Sequence, residues 1–238
     1  MPEELNRLVT DVLADILWTP SPDADENLLR EGIAPEKIER VGNIMIDSLE
    51  MLREKIEGHA AYRDFGLNPG SYGVVTFHRP SNVDNPAILK HLCETLQAIA
   101  DEVPLVFPVH PRTRKKMEED NLLLLLERTA NLYMPEPLGY TSFMSLVFNC
   151  AFVITDSGGI QEETSYLGIP CFTVRENTER PITITHGTNS ICTISELRYK
   201  TAEALQNRER KPAKIDLWDG RTAARITTSS VRQLKNHH

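Results

Sequence analysis

The sequence lacks any long apolar stretch: its longest is the five-leucine run at 122–126, far short of the ~20 residues a membrane-spanning helix needs. Met1-Pro2-Glu3-Glu4 has neither the basic start nor the apolar core of a signal peptide, so no membrane partner is expected and the cytoplasm is the default compartment. Cysteine is scarce and unpatterned. Cys93, Cys150, Cys171 and Cys192 show no CxxC spacing and each neighbours apolar residues, which points to buried reduced thiols rather than disulfides or zinc ligands. No HExxH or paired-carboxylate spacing suggests a metal, and no cofactor is called for. Positive charge is also short, with 26 Lys and Arg against 34 Asp and Glu and a net charge of −8. That balance argues against a nucleic-acid partner or an anionic membrane surface. A small anionic ligand is still allowed, because local Arg, His and helix N-termini can hold it against an acidic background.

What is present is an ordinary globular composition, 40% hydrophobic and 25% charged over 238 residues, enough for one large domain or one and a half smaller ones. There is no internal repeat and no low-complexity linker. Residues 2–13 keep Leu5, Leu8, Val9, Val12 and Leu13 on one helical stripe, with Pro2 in the first turn and Glu3 and Glu4 at its positive end. A strand at 16–19, a helix at 23–31 ended by Gly32, a strand at 39–41 and a helix at 44–56 follow. From residue 72 the rhythm is regular. Strands at 72–77, 105–109, 132–134, 151–155 and 171–174 alternate with helices at 86–100, 112–119, 122–128, 142–149 and onward from 157. Such intervals specify βα units on a parallel sheet flanked by helices, a Rossmann-like α/β fold. Residues 181–190 read as loop, 195–206 as a helix, and 219–234 as a last helix after the break at Lys211-Pro212.

The densest chemistry lies at 151–170, AFVITDSGGIQEETSYLGIP. A short run of Phe, Val and Ile bounded by Asp156 suits a strand buried on both faces. Ser157, Gly158 and Gly159 then offer a cap hydroxyl and two residues without side chains where a helix exposes unpaired N–H groups, a place that favours an anion. At about 100° per residue, Ile160, Thr164 and Leu167 share the inner face. Glu163 lies roughly 60° from the centre of that face, on the border between core and cleft, and Glu162 roughly 160° away, which predicts a solvated Glu162. About 9 Å of helix rise separates Ser157 from Glu163, a span one nucleotide covers. A capped helix with a carboxylate on its flank is the competing reading.

In an open parallel sheet, ligands collect at the carboxyl ends of the strands. There the sequence places His78, Arg79, Pro80, Ser81 and Asn82, then His110, Pro111 and Arg112, then Asp156 and Ser157, then Arg175, Glu176 and Asn177. A single His in such a loop is more often a hydrogen-bonded loop residue than a catalyst. Two His and three Arg on one rim favour an anion site, and His78 can change protonation near neutral pH.

The segments FHRPSN at 77–82, VHPR at 109–112, DSGGIQEE at 156–163, TERP at 178–181 and GTN at 187–189 resemble, in order and approximate spacing, the non-hydrolysing UDP-N-acetylglucosamine 2-epimerases. The resemblance runs from residue 1 to about residue 225 of the sequence. It implies the second half of a GT-B-type fold, in which two Rossmann-like domains face one cleft, and interconversion of UDP-GlcNAc and UDP-ManNAc by elimination and re-addition of UDP. By matched position it implies that Ser157 and Gly158 meet the diphosphate, Glu163 the ribose hydroxyls and Phe143 the uracil. His78 would contact the diphosphate beside the breaking bond, and Glu3 matches a glutamate the family needs for turnover. Arg79, His110, Arg112 and Arg180 complete a candidate anion rim. The ligands implied are UDP and UDP-N-acetylhexosamine, and the family's full-length assembly is a homodimer.

Two departures qualify the match. Many members read HRREN where this chain has His78-Arg79-Pro80-Ser81-Asn82, so the acidic residue tied to allosteric activation by substrate is missing. The family's first domain would also precede Met1. Residues 1–42 therefore read as the tail of that domain, 43–218 as the UDP-binding domain and 219–238 as a helix returning to the first. On this reading the chain is a UDP-binding portion, inactive alone. A GT-B glycosyltransferase domain and a non-catalytic UDP-sugar binding module are the alternatives.

Overall fold

The computed structural model describes residues 2–207 and 209–236, and the chain forms two units, Met1–Met51 with Lys214–His238, and Leu52–Ala213. In the first, helix α1 (Pro2–Leu13) leads to strand β1 (Leu17–Thr19), helix α2 (Pro22–Arg30), strand β2 (Ile38–Arg40) and the start of helix α3 (Ile44–His59). The strands pair in parallel, Leu17 opposite Ile38 and Thr19 opposite Arg40. The closing helix (Thr222–Asn236) joins this unit. Its first turn is capped by a side chain of α3: Asp47 accepts the N–H groups of Thr222 at 3.0 Å and Ala223 at 2.8 Å, which satisfies two orphan donors and places a negative charge at the positive helix end. Farther along, Ser229 accepts from the Trp18 indole at 3.1 Å and donates to Glu39 at 2.6 Å.

The second unit is built on six parallel strands, β3 (Gly73–Thr76), β4 (Leu105–Val106), β5 (Leu132–Tyr133), β6 (Phe152–Thr155), β7 (Cys171–Val174) and β8 (Asn189–Cys192). Between them run helices α4 (Pro80–Val83), α5 (Pro86–Ala100), α6 (Pro111–Glu119), α7 (Leu123–Glu127), α8 (Tyr140–Asn149), α9 (Gly159–Leu167) and α10 (Ile182–Thr185), with α11 (Leu197–Gln206) after the last strand. The strand order β5-β4-β3-β6-β7-β8 is that of a doubly wound sheet, and its direction of growth reverses between β3 and β6. The carboxyl ends of those two strands therefore diverge into a crevice.

Local sequence explains the elements that matter most. Pro86 starts α5 and Asn85 caps it, accepting from Ala87 N–H at 2.9 Å and Ile88 N–H at 3.3 Å. Leu89, Leu92, Cys93, Leu96 and Ile99 then form its buried stripe, over the span the periodicity predicts. Every residue of β6 is buried, as a central strand between two helical layers requires. The four cysteines are buried and unpaired, and burial pushes Cys171 up to about 11 and the other three to about 12, which keeps them as thiols.

One expectation is corrected. The local pattern of residues 181–190 reads as loop, but they contain α10 and the first half of β8. Asn189 and Ser190 give that strand a polar start that local pattern cannot distinguish from a turn. Asn189 is buried there because Thr173 donates to its amide oxygen at 2.6 Å, while its amide nitrogen donates to Gln161 at 2.9 Å and Thr183 at 3.1 Å.

Gly187, leading into β8, is held by close packing. A Cβ there would lie 2.3 Å from Ser165 Oγ and 2.4 Å from the Thr183 carbonyl oxygen. Gly187→Ala is expected to destabilise the chain by about 1–3 kcal/mol, read as a lower midpoint in thermal or denaturant unfolding. Gly159→Ala, where a Cβ meets nothing within 4 Å, serves as the control with no loss.

Candidate functional site

The crevice is organised by Asp156, which follows β6 and is wholly buried. Its carboxylate accepts the backbone N–H of His78 at 3.2 Å, the backbone N–H of Arg79 at 2.9 Å and the Asn82 amide at 3.2 Å. The His78 ring adds a fourth donor, Nδ1 lying 3.1 Å from Oδ1. Burial alone would raise the pKa of this group, but the bonds from the His78 ring, Arg79 and Asn82 outweigh it and hold the acid below the ordinary Asp value. An ionised carboxylate only accepts, so Nδ1 of His78 must carry a proton and Nε2 is the ring nitrogen left for other chemistry. The His78 side chain is 40% exposed. Asn82 also donates to the Val174 carbonyl at 3.1 Å, so the loop after β3 is tied to the ends of both β6 and β7.

Beside this anchor the β6–α9 turn is open. Ser157 donates its N–H to Thr155 Oγ1 at 2.9 Å. Helix α9 begins one residue later than the serine suggests: Gly158 is the N-cap, no side chain caps it, and the amides of Gly158, Gly159 and Ile160 take no partner among the described residues. Here the expectation of a Ser157 cap is corrected, and the result is a helix start with its donors unspent. A Cβ at Gly158 would meet only Glu179, at 3.9 Å, so the space over the turn is clear. On its far side Arg175 holds Glu179 in a two-pronged ion pair at 2.7 and 2.6 Å, and that pairing draws the Glu179 carboxyl down to about 2. Gln161 fastens the turn from behind, donating to the Ser157 carbonyl at 2.9 Å and accepting from Thr178 at 2.6 Å.

The two adjacent glutamates of α9 are both 5% exposed, which corrects the expectation of a solvated Glu162. A single amphipathic face assumes water on the far side of a helix, whereas residues Ile160 to Ser165 of α9 are all buried. The β7–β8 connection lies against the helix, with Thr188 N–H reaching Ser165 Oγ at 3.3 Å. Glu162 is neutralised by Arg180, Nε to Oε1 at 3.1 Å. Glu163 accepts the Tyr140 hydroxyl at 2.7 Å. Burial pushes the Glu163 carboxyl up to about 6; the Tyr140 bond opposes that rise and the Glu162 charge adds to it.

The remaining candidates divide. Arg79 lies on the rim with Glu179 at 3.9 Å. His110 stacks obliquely on His78, ring centroids 5.8 Å apart, but its Nδ1 accepts the Arg112 N–H and so caps α6. Arg112 is engaged by Asp84 through two bonds at 3.1 and 2.5 Å. Phe143 is half-buried in the first turn of α8 and donates its N–H to the Gly139 carbonyl at 2.9 Å. The side chain of Glu3 lies outside the described residues. Among the described residues no three His, Cys, Asp or Glu side chains converge as a metal site requires, and no helix is long and apolar enough to cross a membrane. Sequence reasoning placed Asp156 at the strand end and on the rim without giving it the anchoring role, and it passed over Tyr140. For Asp156 the available signal was an acid placed directly after a wholly apolar strand; for Tyr140 there was none, since its partner is 23 residues away.

A doubly wound parallel sheet with polar loops at its switch point defines a Rossmann-like α/β protein, and the comparisons narrow the class. A family model described as UDP-N-acetylglucosamine 2-epimerase matches residues 1–230, and the chain belongs to that family. It is similar to the UDP-N-acetylglucosamine 2-epimerase of Methanocaldococcus jannaschii, 38% identical over 95% of this chain and 63% of that protein. It is also similar to that of Methanococcus maripaludis, 41% identical over 79% of this chain and 53% of that protein. Among solved structures, the M. jannaschii UDP-GlcNAc 2-epimerase in complex with UDP-GlcNAc and UDP superposes with a TM-score of 0.82 at 36% identity, over 96% of this chain and 65% of that one. The chain thus spans less than two thirds of the length of these relatives.

The Asp156 geometry makes a pH prediction. Its folded pKa lies below the ordinary value of 3.8, so its stabilising contribution is complete above that value and is lost as pH falls through the lowered folded pKa. Asp156→Asn, which turns an acceptor oxygen into a donor facing donors, is expected to cost about 2–4 kcal/mol at neutral pH. It is also expected to flatten the wild type's loss of stability below about pH 4. Urea unfolding of both proteins from pH 7 to pH 3 measures this; parallel curves would remove Asp156 from the account.

Proposed function

We propose that this chain supplies the nucleotide-holding part of an enzyme that interconverts UDP-GlcNAc and UDP-ManNAc. The observation that carries the reading is the convergence, at the ends of β3 and β6, of an uncapped helix start, a histidine fixed on a buried carboxylate, and Glu163. Each suits one part of a UDP-sugar. The amides of Gly158 and Gly159, with the Ser157 hydroxyl, take the diphosphate oxygens, which the helix end favours electrostatically. Glu163 takes ribose hydroxyls. Phe143, one turn along α8 from Tyr140, lies on the same helix face and meets the uracil. Arg79 and Arg180 add positive charge to the rim.

His78 serves the bond that breaks. With Nδ1 held by Asp156, Nε2 is directed by its partner rather than by rotation, and in the protonated ring it donates to the departing diphosphate where charge is greatest in the transition state. The sugar loses its C2 proton to a base while the C1–O bond to UDP breaks, leaving a C1–C2 double bond. Return of a proton to the opposite face of C2 and of UDP to C1 completes the exchange of configuration. By resemblance Glu3 belongs to the groups needed for turnover. On this reading residues 1–42 end a first Rossmann-like domain, 43–218 hold UDP and 219–238 return to the first. The assembly is a homodimer working in the cytoplasm. The relatives' names and the length they share with this chain support the reading.

The test separates binding from turnover. Titration calorimetry is expected to show UDP binding to the 238-residue chain. Deuterium exchange at C2 of UDP-GlcNAc, followed by NMR in heavy water, is expected only from a polypeptide extended to the length of the relatives. In that protein His78→Asn is expected to slow exchange by about 100-fold or more while changing UDP affinity much less. No UDP binding would overturn the reading, and normal exchange in His78→Asn would remove the role of that residue.

A further inference from the structure

Glu163 presents a problem of incomplete satisfaction. Its side chain is 5% exposed, yet only Oε1 has a partner, the Tyr140 hydroxyl at 2.7 Å; Oε2 takes no hydrogen bond from the described residues. Removing a carboxylate from water without filling its acceptor sites is costly, and the raised pKa of the group is the physical sign of that cost. Oε2 is not sealed in the interior, however: it is not among the enclosed side-chain atoms left without a partner, so it keeps contact with solvent and is open to a ligand. A glutamate's terminal torsion is broad and roughly two-fold, so an unheld carboxylate would sweep a range of directions. Tyr140 removes that freedom. It is the first residue of α8, after the N-cap Gly139, and a phenol has two side-chain torsions to order. Tyr140 is also 39% exposed, so solvent reaches the residue whose hydroxyl holds Glu163.

A phenol oxygen that donates to a carboxylate keeps lone pairs with which to accept. Tyr140 and Glu163 together therefore offer two acceptors, the phenol oxygen and Oε2, bridged by one hydrogen bond. Two neighbouring hydroxyl groups on a five-membered ring are the complement of such a pair. Building on the reading of this crevice as a UDP site, we propose that Tyr140 is a positioning residue for ribose recognition. It clamps Glu163 Oε1 so that Oε2 faces one ribose hydroxyl, and the phenol oxygen accepts from the other. The pair reads the cis-diol of a ribonucleotide.

The experiment compares UDP with 2′,3′-dideoxy-UDP by titration calorimetry on the wild type, Tyr140→Phe, Glu163→Gln and the double variant. Tyr140→Phe keeps the ring, and amide NMR spectra confirm that each variant is folded. Tyr140→Phe is expected to weaken UDP by about three- to tenfold and to leave 2′,3′-dideoxy-UDP within about twofold. The double variant is expected to lose clearly less UDP affinity than the sum of the two single losses, because part of what Tyr140 does runs through the carboxylate. Equal losses for the two nucleotides would mean that Tyr140 only supports the fold, and additive losses for UDP would mean that it acts apart from Glu163; either overturns the proposal. Unchanged UDP binding by Tyr140→Phe overturns it while leaving the UDP site intact. A wild type that binds neither nucleotide overturns the underlying reading and this proposal with it.

Discussion

The site depends on one buried charge. At the switch point of a doubly wound sheet the loops after β3 and β6 turn apart, and nothing in the sheet's own hydrogen bonding holds them in register. Asp156 does so. Burying a carboxylate is tolerable only when donors replace its water, and here the donors are the His78 and Arg79 amides of the loop after β3, the Asn82 amide and the His78 ring. The acid's need for partners therefore fixes the path of the β3 loop, and the same bonds set which nitrogen of His78 is available. Through Asn82 the constraint extends to the Val174 carbonyl at the end of β7, where Arg175 takes it on to Glu179.

A second layer keeps the helix start rigid. Gln161 and Asn189 share a bond and between them hold Ser157, Thr173, Thr178 and Thr183. Polar groups this deep specify one arrangement because each leaves the others unpaired if it moves. The neighbouring carboxylates of α9 show how position divides chemistry: Glu162 meets the permanent charge of Arg180, whereas Glu163 meets a neutral phenol and keeps an oxygen in reserve. Such a support makes a site on a loop behave like one built on a strand.

Much of this was legible in the sequence, and the parts that were not share a cause. The helix expected at 86–100 is α5 to the residue, because its first turn and buried face are local signals. The apolar run before Asp156 marked β6 to within one residue, and the rim positions of His78 and Ser157 followed from topology alone. Glu162 misled because the helical period locates the core but not a second neighbour, and the β7–β8 connection supplied one. Asn189 misled because a buried amide is polar in composition and apolar only in circumstance, once Thr173, Gln161 and Thr183 satisfy it. His110 and Arg112 read as anion ligands by type, yet one caps α6 and the other pairs with Asp84. Those roles become visible only when the partners, distant in sequence, are brought together.

The central claim is that the Asp156-anchored crevice between β3 and β6 is where a nucleoside diphosphate binds. The most direct measurement is an amide NMR titration of the 15N-labelled chain with UDP. The account predicts that the largest shifts fall on Gly158, Gly159 and Ile160, with smaller ones at His78, Arg79 and Glu163, and that Asp84 and Arg112 stay still. Shifts centred elsewhere, with the Gly158–Ile160 amides unmoved at saturating UDP, would contradict it.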